Sequence, residues 1–276
     1  MKQIIMTSPV SFDVTYSINP WMEGQVGNVD KVKAMQQWNE VRNAIVAAGA
    51  DVVVMPKAPD DCPDAVFTAN AGLIFDDFFV PSFFKNKERQ VEEPFFINWF
   101  GEKYRVVPEM FYETRETYTF EGAGDALFDT VKPILWYGFG FRSSLAFKAV
   151  LDEVFDNTQF IVRGLELVDE RWYHLDTCFC PLDTGELLWY PPAFSEHSQY
   201  TIRTWFEHSG IEVSEQDALA FACNAVSIGK SIVLPKISNE LKERLEDGGY
   251  KLYQVDTSEF QKSGGSCKCL TLEVNV

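Results

Sequence analysis

The sequence predicts an α/β fold assembled from recurring strand-helix-strand units, and three observations carry that prediction. Short β-rich runs alternate with helical patterns along the whole chain. No Pro/Ser-rich linker, charge block or low-complexity tract interrupts the 276 residues, so 1–276 is read as one domain. A content of 46% hydrophobic and 14% aromatic residues is enough to fill a sizeable core.

Taken in order, residues 3–9 (QIIMTSP) read as a first strand. Residues 30–50 form an amphipathic helix closed by Gly49, and 51–56 (DVVVMP) a second strand. Residues 71–84 suggest a hairpin or two strands, 88–104 a helix and 104–110 another strand. The middle repeats this logic. Short apolar runs at 125–129 and 133–139 precede a helix at 143–155 and a strand at 159–168, and a hairpin-like stretch at 183–192 precedes a helix at 198–208. The last third turns near Gly229, enters a helix with Ser238 as N-cap, and ends on the segments 250–260 and 267–274. A cyclic array of ββαβ modules suits this recurrence.

A formal net charge of -17 repels phosphate backbones and anionic lipid, which speaks against nucleic acid and membrane surfaces as partners. A small cationic substrate fits that charge, although acidity also serves plain solubility. The opening MKQIIMTSPV has neither an apolar signal core nor a cleavage site, and no apolar run is long enough to cross a bilayer; a cytoplasmic location is expected. Neither G-x-G-x-x-G nor G-x-x-x-x-G-K-[ST] occurs, so a nucleotide enzyme is disfavoured and no cofactor is expected. Six cysteines in such a chain are expected as reduced thiols. Cys178 with Cys180 and Cys267 with Cys269 form C-x-C pairs, which on strands would share a face; structural zinc usually shows wider spacing, and no metal is expected. A homo-oligomer is compatible with the sequence, which does not fix the oligomeric state.

Several segments hold residues capable of chemistry. His174 opens HLD, where an extended backbone would point Asp176 the same way as the imidazole. SGGSCKCLT sets two glycines before two thiols: either a loop presenting a nucleophile to a small ligand, or a turn before a buried strand with inert cysteines. TFEGAGDALF brackets small residues with Glu121 and Asp125, and carboxylates on such a turn can grip a flat guanidinium or simply meet solvent. GFGFRSS places Arg142 at a glycine-rich corner, as a carboxylate grip or a surface charge. Asn70 in FTANAG and Asn19 in INPWM are asparagines of a kind that often bond only their own turn.

In this order, FTANAG, EGAGD, GFGFRSS, HLDT and GGSCKCLT resemble the motifs of the guanidine-modifying pentein superfamily of arginine deiminases, dimethylarginine dimethylaminohydrolases, amidinotransferases and arginine dihydrolases. The match spans essentially the whole chain. It implies a five-bladed pseudosymmetric α/β propeller with a central site. It also implies Cys269 as nucleophile, His174 as general acid/base, and Glu121 and Asp176 on the guanidinium nitrogens. Arg142 and Arg89 would then hold the substrate carboxylate. EGAGD is one residue longer than the family's EGGD, leaving open which of Glu121 and Asp125 faces the substrate. Asn70, where deiminases usually carry aspartate, together with Asn19 in INPWM and the unbroken PDAVFTANAG, looks like the arginine dihydrolase branch. The implied reaction is hydrolysis of arginine to ornithine, ammonia and carbon dioxide; a deiminase or dimethylaminohydrolase stopping at citrulline, and an amidinotransferase, are the alternatives.

Overall fold

The computed structural model describes residues 1–107 and 114–274. Within them the strands form five separate sheets of three strands each, all with one plan. Two strands pair antiparallel, joined as a hairpin in four of the five sheets; a helix crosses back, and a third strand pairs parallel to the middle one.

The first sheet is built from β1 (Gln3–Ser8), helix α1 (Lys31–Ala48) and β2 (Asp51–Lys57). Helix α1 starts where the Asp30 carboxylate accepts the N–H groups of Val32 and Lys33, and it stops at Gly49, whose φ of 108° continues no helix. The second sheet holds β3 (Gly72–Phe75), β4 (Phe78–Pro81), the short α2 (Lys87–Gln90), α3 (Glu93–Gly101) and β5 (Arg105–Val106). The third holds β6 (Ala126–Phe128), β7 (Ile134–Phe139), α4 (Phe147–Phe155) and β8 (Ile161–Glu166). The fourth holds β9 (Phe179–Pro181), β10 (Leu187–Trp189), α5 (Glu196–Trp205) and β11 (Gly210–Glu212). After α6 (Glu215–Leu219), the fifth holds β12 (Val226–Ile228), β13 (Ser231–Pro235), α7 (Asn239–Asp247) and β14 (Lys251–Val255). A last short helix, α8 (Ser258–Gln261), leads to β15 (Leu272–Val274), which pairs antiparallel to β1. The C-terminal strand thus completes the first module and closes a five-bladed α/β propeller.

Three expectations need correction. The helix read over 88–104 is broken after Gln90, because Pro94 has no N–H to return to the preceding turn and the chain restarts as α3. The strand read over 104–110 is paired only at Arg105–Val106, and residues 108–110 lie outside the described residues. The C-x-C pair at Cys267 and Cys269 lies in a turn ahead of β15, so strand alternation does not place its sulfurs. Among the described residues no helix is long and apolar enough to cross a membrane, and no group of three or more His, Cys, Asp or Glu is arranged to hold a metal ion.

Candidate active site

Each module begins with a short turn just before its first strand, and the residues capable of chemistry collect there. The turns are Thr68–Ala71 before β3, Gly122–Gly124 before β6, Leu175–Thr177 before β9, residues 221–224 before β12 and residues 266–269 before β15. Hydrogen bonds link them into a closed ring. The Asn70 amide donates to the Glu121 carbonyl at 3.0 Å, the Leu175 N–H to Asp125 Oδ1 at 3.0 Å, and the Asn224 amide to the Asp176 carbonyl at 2.9 Å. Lys268 N–H then donates to the Asn224 carbonyl and Ala69 N–H to the Cys269 carbonyl, each at 3.1 Å. Buried polar groups at the centre therefore find partners in the next turn. The ring leaves no room at Gly124, where a Cβ would run into the Asn70 amide nitrogen.

Three catalytic-type groups meet inside. The imidazole of His174 lies 2.7 Å from Glu121 Oε2, and Arg142 Nη1 donates to the same oxygen at 3.1 Å. Burial opposes ionisation of Glu121, but Arg142 and the hydrogen-bonded His174 outweigh it and hold the carboxyl well below the usual range. Glu121 is therefore an anion at neutral pH. Asp125 turns the other way, accepting from Ser143 Oγ at 2.6 Å and from the Leu175 backbone. Burial raises it to about 6.

Cys269 stands across the ring. Its sulfur lies 3.3 Å from Asp176 Oδ2 and receives an N–H from Asn224 at 3.0 Å. Burial first, and then the Asp176 charge, push this thiol well above the ordinary value, while burial lifts Asp176 to about 7. Thiol and carboxyl thus each shift toward the protonated form, the thiol further than the carboxyl.

Asn70, Arg89, Arg142, His174 and Cys269 line one small cavity, together with Asp64, Asn19 and Tyr173. Glu121 and Asp176, with no exposed surface, sit one layer back, Glu121 against His174 and Asp176 against Cys269. The sequence reading puts both on the guanidinium nitrogens; the structure instead gives the cavity the Asp64 carboxylate, steadied by Tyr16 Oη at 2.8 Å and Ser263 Oγ at 2.9 Å. His174 and Asp176 do converge on the site, though through a 3-10 turn rather than an extended strand.

The two arginines are already engaged. Arg89 binds Glu92 through Nε and Nη2 and gives Nη1 to Asn70 Oδ1 at 2.9 Å. Arg142 pairs with Glu121, reaches the Ile18 carbonyl at 3.0 Å and lies over the Tyr173 ring. Asn19 accepts from Trp21 and Met22 N–H and donates to the Ser263 carbonyl, so it caps its own turn and ties residues 18–22 over the cavity. Asp64 and Asn224 are site residues that motif reading misses. Asp64 stands inside the quoted PDAVFTANAG, and Asn224 is the polar exception in ALAFACNAVS, just before a predicted strand as Asn70 is.

The description "N,N dimethylarginine dimethylhydrolase, eukaryotic" belongs to the family model that matches residues 15–276. The chain belongs to this family. Membership places it in the pentein superfamily, among hydrolases that act on guanidino carbon-nitrogen bonds. It is 44% identical over 273 residues to the bifunctional arginine dihydrolase/ornithine cyclodeaminase ArgZ of Synechocystis, covering 99% of this chain and 37% of that protein. It is 36% identical to the dimethylarginine dimethylaminohydrolase of Mycobacterium tuberculosis, covering 99% and 86%. The chain therefore spans less than two-fifths of the bifunctional relatives it matches. Among solved structures, the N-terminal domain of ArgZ as a cysteine variant bound to substrate superimposes with a TM-score of 0.93 at 43% identity, covering 100% of this chain and 98% of that one. A dimethylarginine dimethylaminohydrolase adduct shares the fold at 20% identity and a TM-score of 0.76.

Proposed function

We propose that this family member hydrolyses arginine twice, to ornithine, two ammonia and carbon dioxide, with Cys269 as nucleophile. The observation that carries the proposal is the single cavity lined together by Cys269, His174, Asn70 and Asp64. The likeness to ArgZ, an arginine dihydrolase, supports the choice of substrate.

The entering guanidinium supplies the positive charge that a buried thiol beside a carboxylate lacks, and so favours the thiolate. Sulfur attacks the guanidinium carbon, and His174 protonates the departing ammonia. Anionic Glu121 orients the ring through the 2.7 Å contact with Nε2. A thiouronium forms on Cys269. Water deprotonated by the same imidazole attacks it, yielding the ureido compound and freeing the thiolate. A second round on the ureido carbon expels ammonia and leaves a thiocarbamate, whose hydrolysis gives a carbamate that loses carbon dioxide.

Asn70 is the group that makes the second round feasible. Arg89 fixes its orientation by occupying Oδ1, and one Nδ2 hydrogen goes to Glu121, which leaves the other for the cavity among the described residues. An amide N–H can hold the neutral ureido oxygen, whereas an aspartate attracts the cationic substrate and loses that attraction once the product is neutral. Incubation with arginine, read by mass spectrometry and ammonia assay, is expected to give ornithine with two ammonia per turnover. Citrulline as the sole stable product would contradict it.

One alternative has its own support. The family description and the 36% identical M. tuberculosis relative favour a dimethylaminohydrolase releasing citrulline from methylated arginine. Turnover of dimethylarginine but not arginine in the same assay would establish it.

A further inference from the structure

The fifth turn of the ring has no role in the chemistry above. In the other four turns the central residues are Asn70, the Glu121/Asp125 pair, the His174/Asp176 pair and Cys269, and the equivalent place in the fifth is held by Asn224. Its side chain is fully buried and uses its whole hydrogen-bonding capacity. Oδ1 accepts the backbone N–H groups of Ser266 at 3.0 Å and Cys269 at 3.2 Å, while Nδ2 donates to the Asp176 carbonyl at 2.9 Å and to Cys269 Sγ at 3.0 Å.

These contacts fix the amide orientation without reference to the sulfur. Two backbone N–H groups can face only the oxygen, so the group turned toward Sγ must be the N–H. The same kind of bond closes the ring elsewhere, since Asn70 gives its amide to the Glu121 carbonyl as Asn224 does to the Asp176 carbonyl. The donation to sulfur has no counterpart in that structural pattern. It also opposes the neighbouring carboxylate: Asp176 Oδ2, 3.3 Å away, repels a negative sulfur, and an N–H donor at 3.0 Å stabilises one.

We infer that Asn224 is a positioning residue for the nucleophile, its amide holding the Cys269 backbone in place and donating the hydrogen bond that stabilises the thiolate against Asp176. The inference rests on Cys269 being the nucleophile, but its test does not need turnover. Iodoacetamide alkylation of Cys269 is followed against pH by mass spectrometry of the peptide that begins at Cys269, with Cys269→Ser as the blank. Asn224→Asp keeps Oδ1 and removes the donor; the alkylation midpoint is expected to rise by about one pH unit and the rate at neutral pH to fall about tenfold. Asn224→Ser removes the carboxamide without adding charge and is expected to shift the midpoint the same way. In the wild-type chain, the Asn224 side-chain amide resonances are expected to titrate with the midpoint of Cys269 alkylation. Midpoints unchanged in a folded variant, or wild-type amide resonances that ignore the thiol titration, overturn the inference. An active Cys269→Ser variant would instead remove the proposed function, which keeps the two failures distinct.

Discussion

Asp176 and Asn224 hold the Cys269 sulfur between opposite influences, so the two variants should move its titration in opposite directions. Asp176→Asn removes the charge that helps hold the thiol up, and the alkylation midpoint is expected to fall even as turnover is impaired. A midpoint that rises would contradict the assigned balance. Asp176→Asn carries a second consequence. A carboxyl whose folded pKa is raised, here to about 7 from an ordinary 3.8, favours folding in its protonated form. That contribution is complete below about 3.8 and is lost as pH climbs through 7, so the variant should be stabilised relative to wild type at pH 8 and far less so at pH 4, as thermal melts would show. Asn70→Asp is expected to let citrulline accumulate from arginine. Unchanged ornithine yield would remove the account of that amide.

At the scale of the element, the decisive units are the turns before each module's first strand rather than the strands. Gly124→Ala places a methyl group against the Asn70 amide within the ring, so overpacking of about 1–3 kcal/mol is expected together with a loss of activity larger than the stability loss accounts for. A melting temperature and a turnover rate both equal to wild type would show that the ring tolerates displacement there. The turns also explain what the sequence made legible. FTANAG, EGAGD, HLDT and GGSCKCLT can be read because small residues and polar groups stand together where the backbone approaches closely. Asn224 escapes because its neighbours are apolar and it lacks an acid or base partner along the chain; its partners, Ser266 and Cys269, are supplied by a turn more than forty residues away. The break at Pro94 was written in the sequence, yet the apolar pattern on either side masks it.

Across the whole molecule, one short strand joins closure of the propeller to placement of the nucleophile. Strand β15 follows Cys269 almost at once, pairs with β1 and bears Glu273, which Lys2 and Lys268 contact. Burial opposes ionisation of Glu273, but the two lysines outweigh it and hold it at about 2 against an ordinary 4.5. A depressed folded pKa gives stability that is present above about 4.5 and lost as pH falls toward 2. Glu273→Gln is therefore expected to lower the melting temperature at neutral pH, with a deficit that narrows in acid; a deficit independent of pH would reassign the loss to packing. The recurring strand-helix-strand pattern made the module readable from the sequence, whereas closure by β15 depends on a pairing between the two ends of the chain that no local pattern records. The sulfur of Cys269 is the reacting atom, and Lys268 offers a direct test of it. Trypsin cuts after Lys268 and so delivers Cys267 and Cys269 on different peptides. Acid quenching of the enzyme during arginine turnover, followed by tryptic mass mapping, is predicted to find an amidino adduct on the peptide that begins at Cys269. An adduct on the Cys267 peptide, or turnover with neither peptide modified, would contradict it.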